Sequence, residues 1–354
     1  MRLGIIGLPQ SGKTTIFNAL TRGHQPLTTS GGRFDVHTGV VDVPDARLDR
    51  LSEMFKPKKT IYAKVTYADI AGLEGSQTAI SGQLLNVLAQ MDGLLHVVRC
   101  FGDANIPHPS GSVNPLRDIA TMDAELLLND MIAVERKLER LAEERKKGGG
   151  RERAAIDREV VLFERFKEVL AREIPLREIE LTLDEEKTLS GFGFLTRKPM
   201  LVLLNLHEGQ EMPPVEYPRA HSSLTALQGK LEMEIAQLAP EDAEVFMQEY
   251  GITEPGLARV IRLSYELLGL ISFFTVGPDE VRAWTLPKGS TAYAAAGEIH
   301  TDLQKGFIRA EVIPYTELIS LGGLNEARAK GRLRLEGKEY IVQDGEIVHI
   351  RFNV

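Results

Sequence analysis

Apolar runs of strand length recur along the chain, and amphipathic or polar stretches separate them. The clearest runs cover 1–6, 38–44, 63–72, 94–99 and 199–205. Since helical patterns lie between these runs, we predict a doubly wound α/β fold with a parallel sheet. The longest uninterrupted apolar stretches, such as Met200–Leu204, have the length of a strand and are far shorter than a membrane span. We therefore expect no membrane-spanning segment.

A different pattern covers residues 118–170, which are rich in Glu, Arg, Lys, Leu and Ala and contain no proline. Apolar residues repeat there every three or four positions, and a basic, glycine-rich break at 146–151 divides the stretch into two halves. The stripes are Leu127, Met131, Val134, Leu138 and Leu141, then Ile156, Val160, Phe163 and Leu170. We predict an antiparallel helical hairpin inserted into the first domain. Its charges are typical of a solvated face, and the basic tip is the part most suited to touch a partner.

The last eighty or so residues have short strand patterns and many glycines. Strands are predicted at 272–276 and 280–286, and an Asp344-Gly345 turn predicts a hairpin at 340–348. Positive charge concentrates here although the whole chain is acidic: Lys305, Arg309, Arg328, Lys330, Arg332, Arg334 and Lys338. These residues form either a surface for RNA or an ordinary solvated face, and the pattern alone leaves both open.

Composition limits the function classes. At 354 residues the chain should form two or three domains, and 43% hydrophobic residues are enough for real cores. The net charge of −8 argues against general affinity for nucleic acids. Cys100 is the only cysteine, so no internal disulfide is possible and a cytoplasmic setting is expected. No secretory signal is visible at the start.

The strongest chemical signal is Gly7-Leu8-Pro9-Gln10-Ser11-Gly12-Lys13-Thr14, which fits G-x-x-x-x-G-K-[ST], the P-loop. It follows a predicted strand and precedes an amphipathic helix. Backbone N–H groups of this loop and the helix N-terminus suit a polyphosphate. We expect Lys13 to reach the β- and γ-phosphates, and the Thr14 hydroxyl to ligate Mg²⁺. The predicted nucleotide-binding residues here are Pro9, Gln10, Ser11, Gly12, Lys13, Thr14 and Thr15.

A D-x-x-G turn, Asp69-Ile70-Ala71-Gly72, ends the strand at 63–72. The carboxyl ends of strands are where ligands gather in α/β sheets, so Asp69 should lie near Lys13. We predict that Asp69 shares the Mg²⁺ with Thr14 and that the Gly72 N–H meets the γ-phosphate. The two motifs together predict a nucleoside triphosphatase.

The strand at 199–205 ends in Asn205-Leu206-His207-Glu208, where guanine-binding domains usually have N-K-x-D. Leu206 replaces the lysine, and Glu208 replaces the shorter aspartate that pairs with guanine. This is a damaged guanine reader or a plain surface loop, and local sequence does not decide. Thr225-Ala226-Leu227 is a weak candidate for a companion loop on the base side.

These stretches together resemble the YchF/Obg-like ATPase family, nearly end to end. The resemblance includes Gly7-Leu8-Pro9, Asp69–Leu73, the runs 96–101, 205–208, 280–285, 299–302 and 305–310, and the terminal Phe352-Asn353-Val354. It implies an Obg-type G domain (1–117 and 196–270), a coiled-coil insertion (118–195) and a C-terminal TGS domain of β-grasp fold (271–354). It also implies a translation-associated protein.

The resemblance implies two functional properties. The family's N-x-x-E goes with a preference for ATP over GTP, read around Asn205, Leu206 and Glu208, and Phe101 matches an aromatic that covers the base. Leu73 stands where Ras-like enzymes have the glutamine that orients water, so slow hydrolysis and activation by another loop, potassium or a partner are expected. The chain departs from the family at 30–35 and 74–82, the segments that sense the γ-phosphate.

Our first hypothesis is therefore a slow Mg²⁺-dependent ATPase that acts as a switch on the ribosome or RNA, through the TGS domain and the helical hairpin. Lys13 and Gly72 would be its catalytic residues. The alternatives are a GTPase of the same fold, or an adaptor that binds nucleotide without hydrolysis. A small-molecule kinase is more distant, because it leaves the D-x-x-G turn unexplained. A monomer is expected.

Overall fold

The computed structural model describes residues 1–25, 36–70, 82–147, 151–250, 252 and 254–353. Its contacts divide the chain into two compact units. The first unit comprises Met1–Gly39 and Thr66–Val260, and the second comprises Val40–Val65 and Ile261–Val354. The polypeptide therefore passes between the units three times.

The strands of the described residues are, in chain order, β1 (Arg2–Ile6), β2 (Val36–Asp42), β3 (Lys59–Ile61), β4 (Lys64–Ile70), β5 (Gly93–Arg99), β6 (Met200–Asn205), β7 (Ser222–Leu227), β8 (Leu270–Val276), β9 (Glu280–Pro287), β10 (Phe307–Pro314), β11 (Arg334–Glu336) and β12 (Glu346–Phe352). The helices are α1 (Lys13–Thr21), α2 (Ala46–Phe55), α3 (Gly82–Ala89), α4 (Pro115–Lys147), α5 (Arg153–Ala171), α6 (Leu183–Leu189), α7 (Gly229–Gln237), α8 (Pro240–Glu249), α9 (Gly256–Leu267), α10 (Ala292–Ile299), α11 (Thr301–Lys305), α12 (Tyr315–Leu321) and α13 (Leu324–Ala329), with a short 3₁₀ turn at Leu176–Glu178. None of the helices in these ranges is long and apolar enough to cross a membrane.

The first unit is built on a sheet of order β2-β4-β1-β5-β6-β7, in which β4, β1, β5, β6 and β7 are parallel neighbours. Every residue of β5 and β6 is buried. Because successive side chains of a strand point to opposite faces, both faces of the sheet must be covered. On one face Val98 and Val202 pack in a cluster with Leu84 of α3 and Leu126 of α4. The predicted α/β fold with a parallel sheet is confirmed.

The predicted helical insertion is the pair α4 and α5. Ion pairs join Lys137 to Glu159 at 2.7 Å and Lys167 to Glu135 at 3.5 Å. Residue numbers rise on one helix as they fall on the other, so the two helices are antiparallel. Most of the apolar stripe residues meet in one core, namely Leu127, Met131, Val134, Leu138, Phe163 and Leu170. This core also includes Phe166, which the sequence analysis did not assign. Of the predicted basic tip, residues 148–150 lie outside the described ranges.

A buried carboxylate fastens α4 to the chain just before β6. Asp130 is 2% exposed and accepts hydrogen bonds from Leu195 N at 2.8 Å, Thr196 N at 2.7 Å and Thr196 Oγ1 at 2.6 Å. Burial raises the pKa of Asp130 to about 6, against the opposing effect of these three donors. The helical insertion is thus anchored to the β6 side of the first unit by a titratable group.

The second unit contains a mixed sheet of order β11-β10-β12-β8-β9-β3. Its inner face packs against α10, with Phe273, Val312 and Val348 among the core residues. The edge strand β3 pairs in parallel with β9, from Lys59 opposite Glu280 to Ile61 opposite Arg282. Residues 40–65, which the predicted boundaries placed in the G domain, thus lie with the C-terminal residues.

Helix α2 belongs to this second unit as well. Its N-terminus is capped by Asp45, whose side chain accepts from Arg47 N at 3.0 Å. The Arg47 guanidinium pairs with Asp45 at 2.8 Å and with Asp344 at 2.6 Å, and it lies over the Phe274 ring at 5.3 Å. The C-terminal sheet is therefore completed by residues from the first fifth of the chain.

The hairpin predicted at 340–348 is wrong. Only β12 forms there, preceded by a loop with one isolated bridge between Thr291 and Ile341. Asp344 uses its carboxylate to accept from Ser272 N at 2.9 Å and to pair with Arg47. Asp344-Gly345 does form a turn, closed by Glu346 N donating to Gln343 O at 3.3 Å, but no strand of the described residues precedes it to complete a hairpin.

Candidate nucleotide-binding site

The loop between β1 and α1 has the backbone of a phosphate-binding turn. Gly7 and Gly12 have φ angles of 155° and 92°, and Gln10 is in the left-handed region with φ 60°. A Cβ at Gly7 would collide with Val97 O, and one at Gly12 with the Asn205 side chain. Both glycines are therefore required by conformation and by space.

The N-terminus of α1 is open to an anion. Gly12, which makes no side-chain cap, is its N-cap, and the first turn has no acidic residue. The N–H groups of a helix N-terminus and the helix dipole favour negative charge at this end. Thr15 offers its N–H in this turn, and Gln10 is exposed at the tip of the loop. Pro9 has no N–H, so its contribution is to shape the loop.

The Lys13 side chain folds back over the loop. Its Nζ donates to Gly7 O at 2.9 Å and to Leu8 O at 3.0 Å. Two backbone carbonyls thus accept two of the hydrogen bonds that the ammonium group can donate. A triphosphate is a stronger acceptor than a carbonyl, so the same Nζ suits the predicted phosphate contact.

Thr14 and Asp69 meet as predicted. Thr14 Oγ1 donates to Asp69 Oδ2 at 2.8 Å, and Asp69 is 5% exposed at the end of β4. Burial raises the pKa of Asp69, whereas the Thr14 bond and the charges of Lys13 and His37 act in the opposite direction. A hydroxyl and a carboxylate are the hard oxygen ligands that Mg²⁺ prefers, so the pair fits the metal. Gly72 and Leu73 lie outside the described residues.

Asn205 connects the end of β6 to the P-loop. It is 3% exposed, its Nδ2 donates to Ser11 O at 3.0 Å, and its Oδ1 accepts from Gly229 N at 3.1 Å. The side chain of Ser11 is also buried, and its Oγ has no partner among the described residues. Both functional groups of the Asn205 amide are thus engaged by backbone, which makes this residue a strut between the P-loop and α7.

The other two residues of the N-x-x-E loop are placed differently from each other. Leu206 is 7% exposed, packs in the core and donates its N–H to Leu227 O at 2.8 Å. Glu208 is exposed beyond the strand end. Thr225–Leu227 belongs to β7, with Thr225 buried. The weak prediction of a base-side loop at those three residues is therefore wrong, because they form a strand.

Phe101 lies at the same edge of the sheet. It follows β5, whose last residue Arg99 is directly opposite Asn205 of β6. The ring is half-buried, and the Arg99 guanidinium lies 4.6 Å from its centroid. The structure thus brings together the P-loop, Asp69, Asn205 and Phe101 around the carboxyl edge of one sheet.

The sequence analysis missed three polar residues of this region: His96, Arg99 and Gln210. His96 is 1% exposed beside the P-loop strand, and burial together with the charge of Lys13 lowers its pKa to about 3, so the ring is neutral. A signal for two of the three was present, since His96 and Arg99 interrupt an otherwise apolar strand pattern. Gln210 gives no such local signal.

Comparison with known proteins agrees with this geometry. A family model described as a 50S ribosome-binding GTPase matches residues 2–137. A second model, of the C-terminal domain of YchF GTPases and described as a protein of unknown function, matches residues 270–353.

Full-length relatives decide the family. The "Ribosome-binding ATPase YchF" of Bacillus subtilis is 40% identical over 99% of this chain and 99% of its own. That of Haemophilus influenzae is 42% identical over 100% of this chain and 99% of its own. The chain belongs to the YchF family. The resemblance inferred from the motifs is thereby confirmed.

Solved structures support the YchF fold across the chain. The structure of the Schizosaccharomyces pombe YchF GTPase superposes with a TM-score of 0.86 at 32% identity, and covers 99% of this chain and 97% of its own. A GTP binding protein from Pyrococcus horikoshii superposes with a TM-score of 0.55 at 19% identity over the full length of both chains. The second likeness concerns the fold alone.

Proposed function

We propose that this chain binds ATP with Mg²⁺, hydrolyses it slowly and acts as a nucleotide-dependent switch associated with the ribosome. One observation carries the proposal: the Thr14 hydroxyl and the buried Asp69 carboxylate lie 2.8 Å apart beside an open P-loop. This arrangement suits a triphosphate and its metal better than any other ligand class. The residues in the loop supply what hydrolysis of a phosphoanhydride needs, which is positioning and charge.

The proposed roles follow from the contacts. The N–H groups of residues 10–15 bind the phosphates, and Lys13 exchanges its carbonyl partners for phosphate oxygens. Thr14 and Asp69 would hold Mg²⁺, and the metal would neutralise negative charge on the phosphates. Asp69 would bind the metal as a carboxylate, because a metal ligand must be deprotonated. Gly72 as the γ-phosphate contact and catalytic group remains a prediction from the motif.

ATP is the proposed nucleotide because Glu208 replaces the aspartate that reads guanine, and Leu206 replaces the lysine. Asn205 and Leu206 would set base choice indirectly, by holding the end of β6 in place, and Glu208 by its exposed side chain, with Phe101 over the base. Relatives are named differently: the bacterial ones are called ATPases, and the fission yeast structure is titled a GTPase. A GTPase of the same fold is therefore the second candidate. Paired ADP and GDP affinities separate the two.

Slow turnover is proposed because Leu73 has no polar atom to orient water. An enzyme that hydrolyses its nucleotide slowly until a partner binds can act as a switch. The relatives named above are called ribosome-binding, and we propose the ribosome as this chain's partner. Contact would be made through RNA by the helical hairpin and a C-terminal TGS domain, in the cytoplasm, by a monomer. The proposed domain limits are those stated from sequence.

The direct test is phosphate release. We expect the full-length protein to release phosphate slowly from ATP, faster with ribosomes present, and Lys13→Ala to abolish both rates. Equal rates in the two proteins would remove the enzymatic proposal. Normal ATP binding with no turnover, even with ribosomes, would favour an adaptor that has lost hydrolysis. Faster release from GTP than from ATP would favour the GTPase.

A further inference from the structure

Two loops leave the sheet side by side at the proposed base-binding edge. One follows β5 and includes Phe101; the other follows β6 and includes Leu206 to Glu208. Their strands are in register to the last residue, with Arg99 opposite Asn205. The pairing continues one residue further, since Cys100 N donates to Asn205 O at 2.9 Å. A contact that holds these two loops in place therefore also holds Phe101 and Glu208, the side chains that would surround a base.

The Arg99 side chain contacts both the backbone of the first loop and the aromatic ring of Phe101. The side chain of Arg99 is buried, at 2% exposure for the residue. Its Nε donates to Phe101 O at 3.0 Å, and its Nη2 donates to Ile106 O at 2.7 Å. The guanidinium carbon lies 4.6 Å from the centroid of the Phe101 ring, within the range of a cation–π contact. One planar group therefore sets the path of residues 101–106 and orients the aromatic ring.

This placement of Arg99 is costly for the fold. No carboxylate of the described residues forms an ion pair with it, and its Nη1 is buried without a hydrogen-bond partner in those ranges. Burial lowers the pKa of Arg99, although the charges of Asp103 and Asp118 oppose the shift. A buried cation with an unmade bond lowers stability. A role in holding the loop for a ligand explains why such a residue stands here.

Gln210 joins the two loops to each other. Its Oε1 accepts from His207 N at 2.9 Å, and its Nε2 donates to Cys100 O at 2.8 Å. The loop with Glu208 is thereby fastened to the strand end that leads into Phe101. The hydrogen bonds of Arg99 and Gln210 together link the two loops to each other and to the strand ends.

We propose that Arg99 is a positioning residue for the nucleotide base: it holds Phe101 and residues 101–106 in the orientation that covers the purine. The inference rests on the proposed nucleotide binding and adds a residue that determines affinity for the base. Phosphate contacts are made by residues 10–15, none of which bonds to Arg99. Loss of Arg99 should therefore weaken binding of the base and leave binding of the phosphates unchanged.

The test compares two ligands on the full-length protein. Affinities for ATP and for inorganic tripolyphosphate are measured by calorimetry for the native chain, Arg99→Gln and Arg99→Lys. Stacking of a base on an aromatic side chain contributes enough for a loss of about tenfold when it is disturbed. We expect Arg99→Gln to bind ATP about tenfold more weakly and tripolyphosphate as tightly as the native chain. Arg99→Lys keeps the charge but loses the planar guanidinium, so its ATP affinity should lie between those of the native chain and Arg99→Gln.

A matched control is Arg177→Gln. Arg177 is also buried, at 5% exposure, and donates to Thr196 O at 3.2 Å and Tyr217 Oη at 2.8 Å, away from both loops. Arg177→Gln should lower the free energy of unfolding without a selective loss of ATP affinity. Phe101→Leu should reproduce the Arg99→Gln effect, and the double variant should lose no more than either alone.

Three results would overturn the proposal: native ATP affinity in Arg99→Gln, equal loss of ATP and tripolyphosphate, or native ATP affinity in Phe101→Leu. The last result counts even if the arginine variants do not fold. Failure of the proposed function itself looks different, because the native chain would then bind neither ATP nor tripolyphosphate.

Discussion

Asn205→Ala tests whether Asn205 is a strut or a base reader. The substitution removes an amide that bonds to Ser11 O at 3.0 Å and Gly229 N at 3.1 Å in a site where Asn205 is 3% exposed. A buried donor or acceptor left without a partner costs about 1–3 kcal/mol. Two such groups, with water able to enter the space left by the amide, give an expected loss of about 2–4 kcal/mol in the free energy of unfolding.

The assay is urea denaturation followed by far-UV circular dichroism, combined with the ATP and tripolyphosphate affinities. We expect both affinities to fall, because the P-loop carbonyl at Ser11 loses its support. The matched control is Asn129→Ala in α4, where a buried amide makes one bond to Glu125 O at 2.7 Å. Since alanine favours helix, that variant should lose less than about 1 kcal/mol and keep both affinities.

Two outcomes would refute the strut. One is a stability of Asn205→Ala within about 0.5 kcal/mol of native, which is the range of an ordinary surface substitution. The other is selective loss of ATP with native tripolyphosphate affinity. The latter would return Asn205 to direct reading of the base edge.

Three further predictions concern metal binding, pH and the second unit. Burial raises the pKa of Asp69, and Mg²⁺ needs the carboxylate, so ATP affinity in Mg²⁺ should fall as pH is lowered. In calorimetry the fall should be smaller in Asp69→Asn, where only the protonation of ATP itself remains. The pKa of Asp130 is about 6 when folded, so the folded chain keeps a proton that the unfolded chain releases. The free energy of unfolding should then fall by up to about 3 kcal/mol from about pH 4 to 6, and Asp130→Asn should flatten this slope in urea titrations. Arg47→Met should destabilise the second unit by about 1 kcal/mol, a small value because the ion pair with Asp344 is partly exposed. Fluorescence of Trp284, the only tryptophan and a residue of β9, reports that transition, and an unchanged midpoint would contradict the role of Arg47.

The phosphate side of the site could be predicted because its signals are local. Gly7, Gly12, Lys13 and Thr14 lie within eight residues between a strand and a helix, and each has a conformational or chemical reason to be there. Asp69 needed only the rule that parallel strands end at one edge. Its bond to Thr14 follows from that topology.

The residues of the proposed base side could be named from the sequence, but their contacts could not be predicted. Asn205 was found from its position after a strand, but its partner Ser11 is 194 residues away, and no local pattern reports such a contact. The burial of Leu206 depends on packing against the rest of the sheet core. Arg99 is a charge in an apolar run, and its geometry was needed to show what it holds.

The second unit shows where local patterns fail. The strand β3 has three residues, Lys59, Thr60 and Ile61, and no alternation that would predict it. Its partner β9 lies more than two hundred positions further along the chain. The Asp344-Gly345 pair does form a turn, but the residues before it pair with no neighbouring strand, so a correct turn signal led to a false hairpin.

Calorimetric titration of ATP with and without Mg²⁺ tests the central claim most directly, in the native chain and in Thr14→Val. Valine keeps the shape of threonine and removes only the hydroxyl that meets Asp69. The account predicts that Mg²⁺ strengthens ATP binding to the native chain and has little effect on Thr14→Val. The same gain from Mg²⁺ in both proteins would contradict a metal held by Thr14 and Asp69.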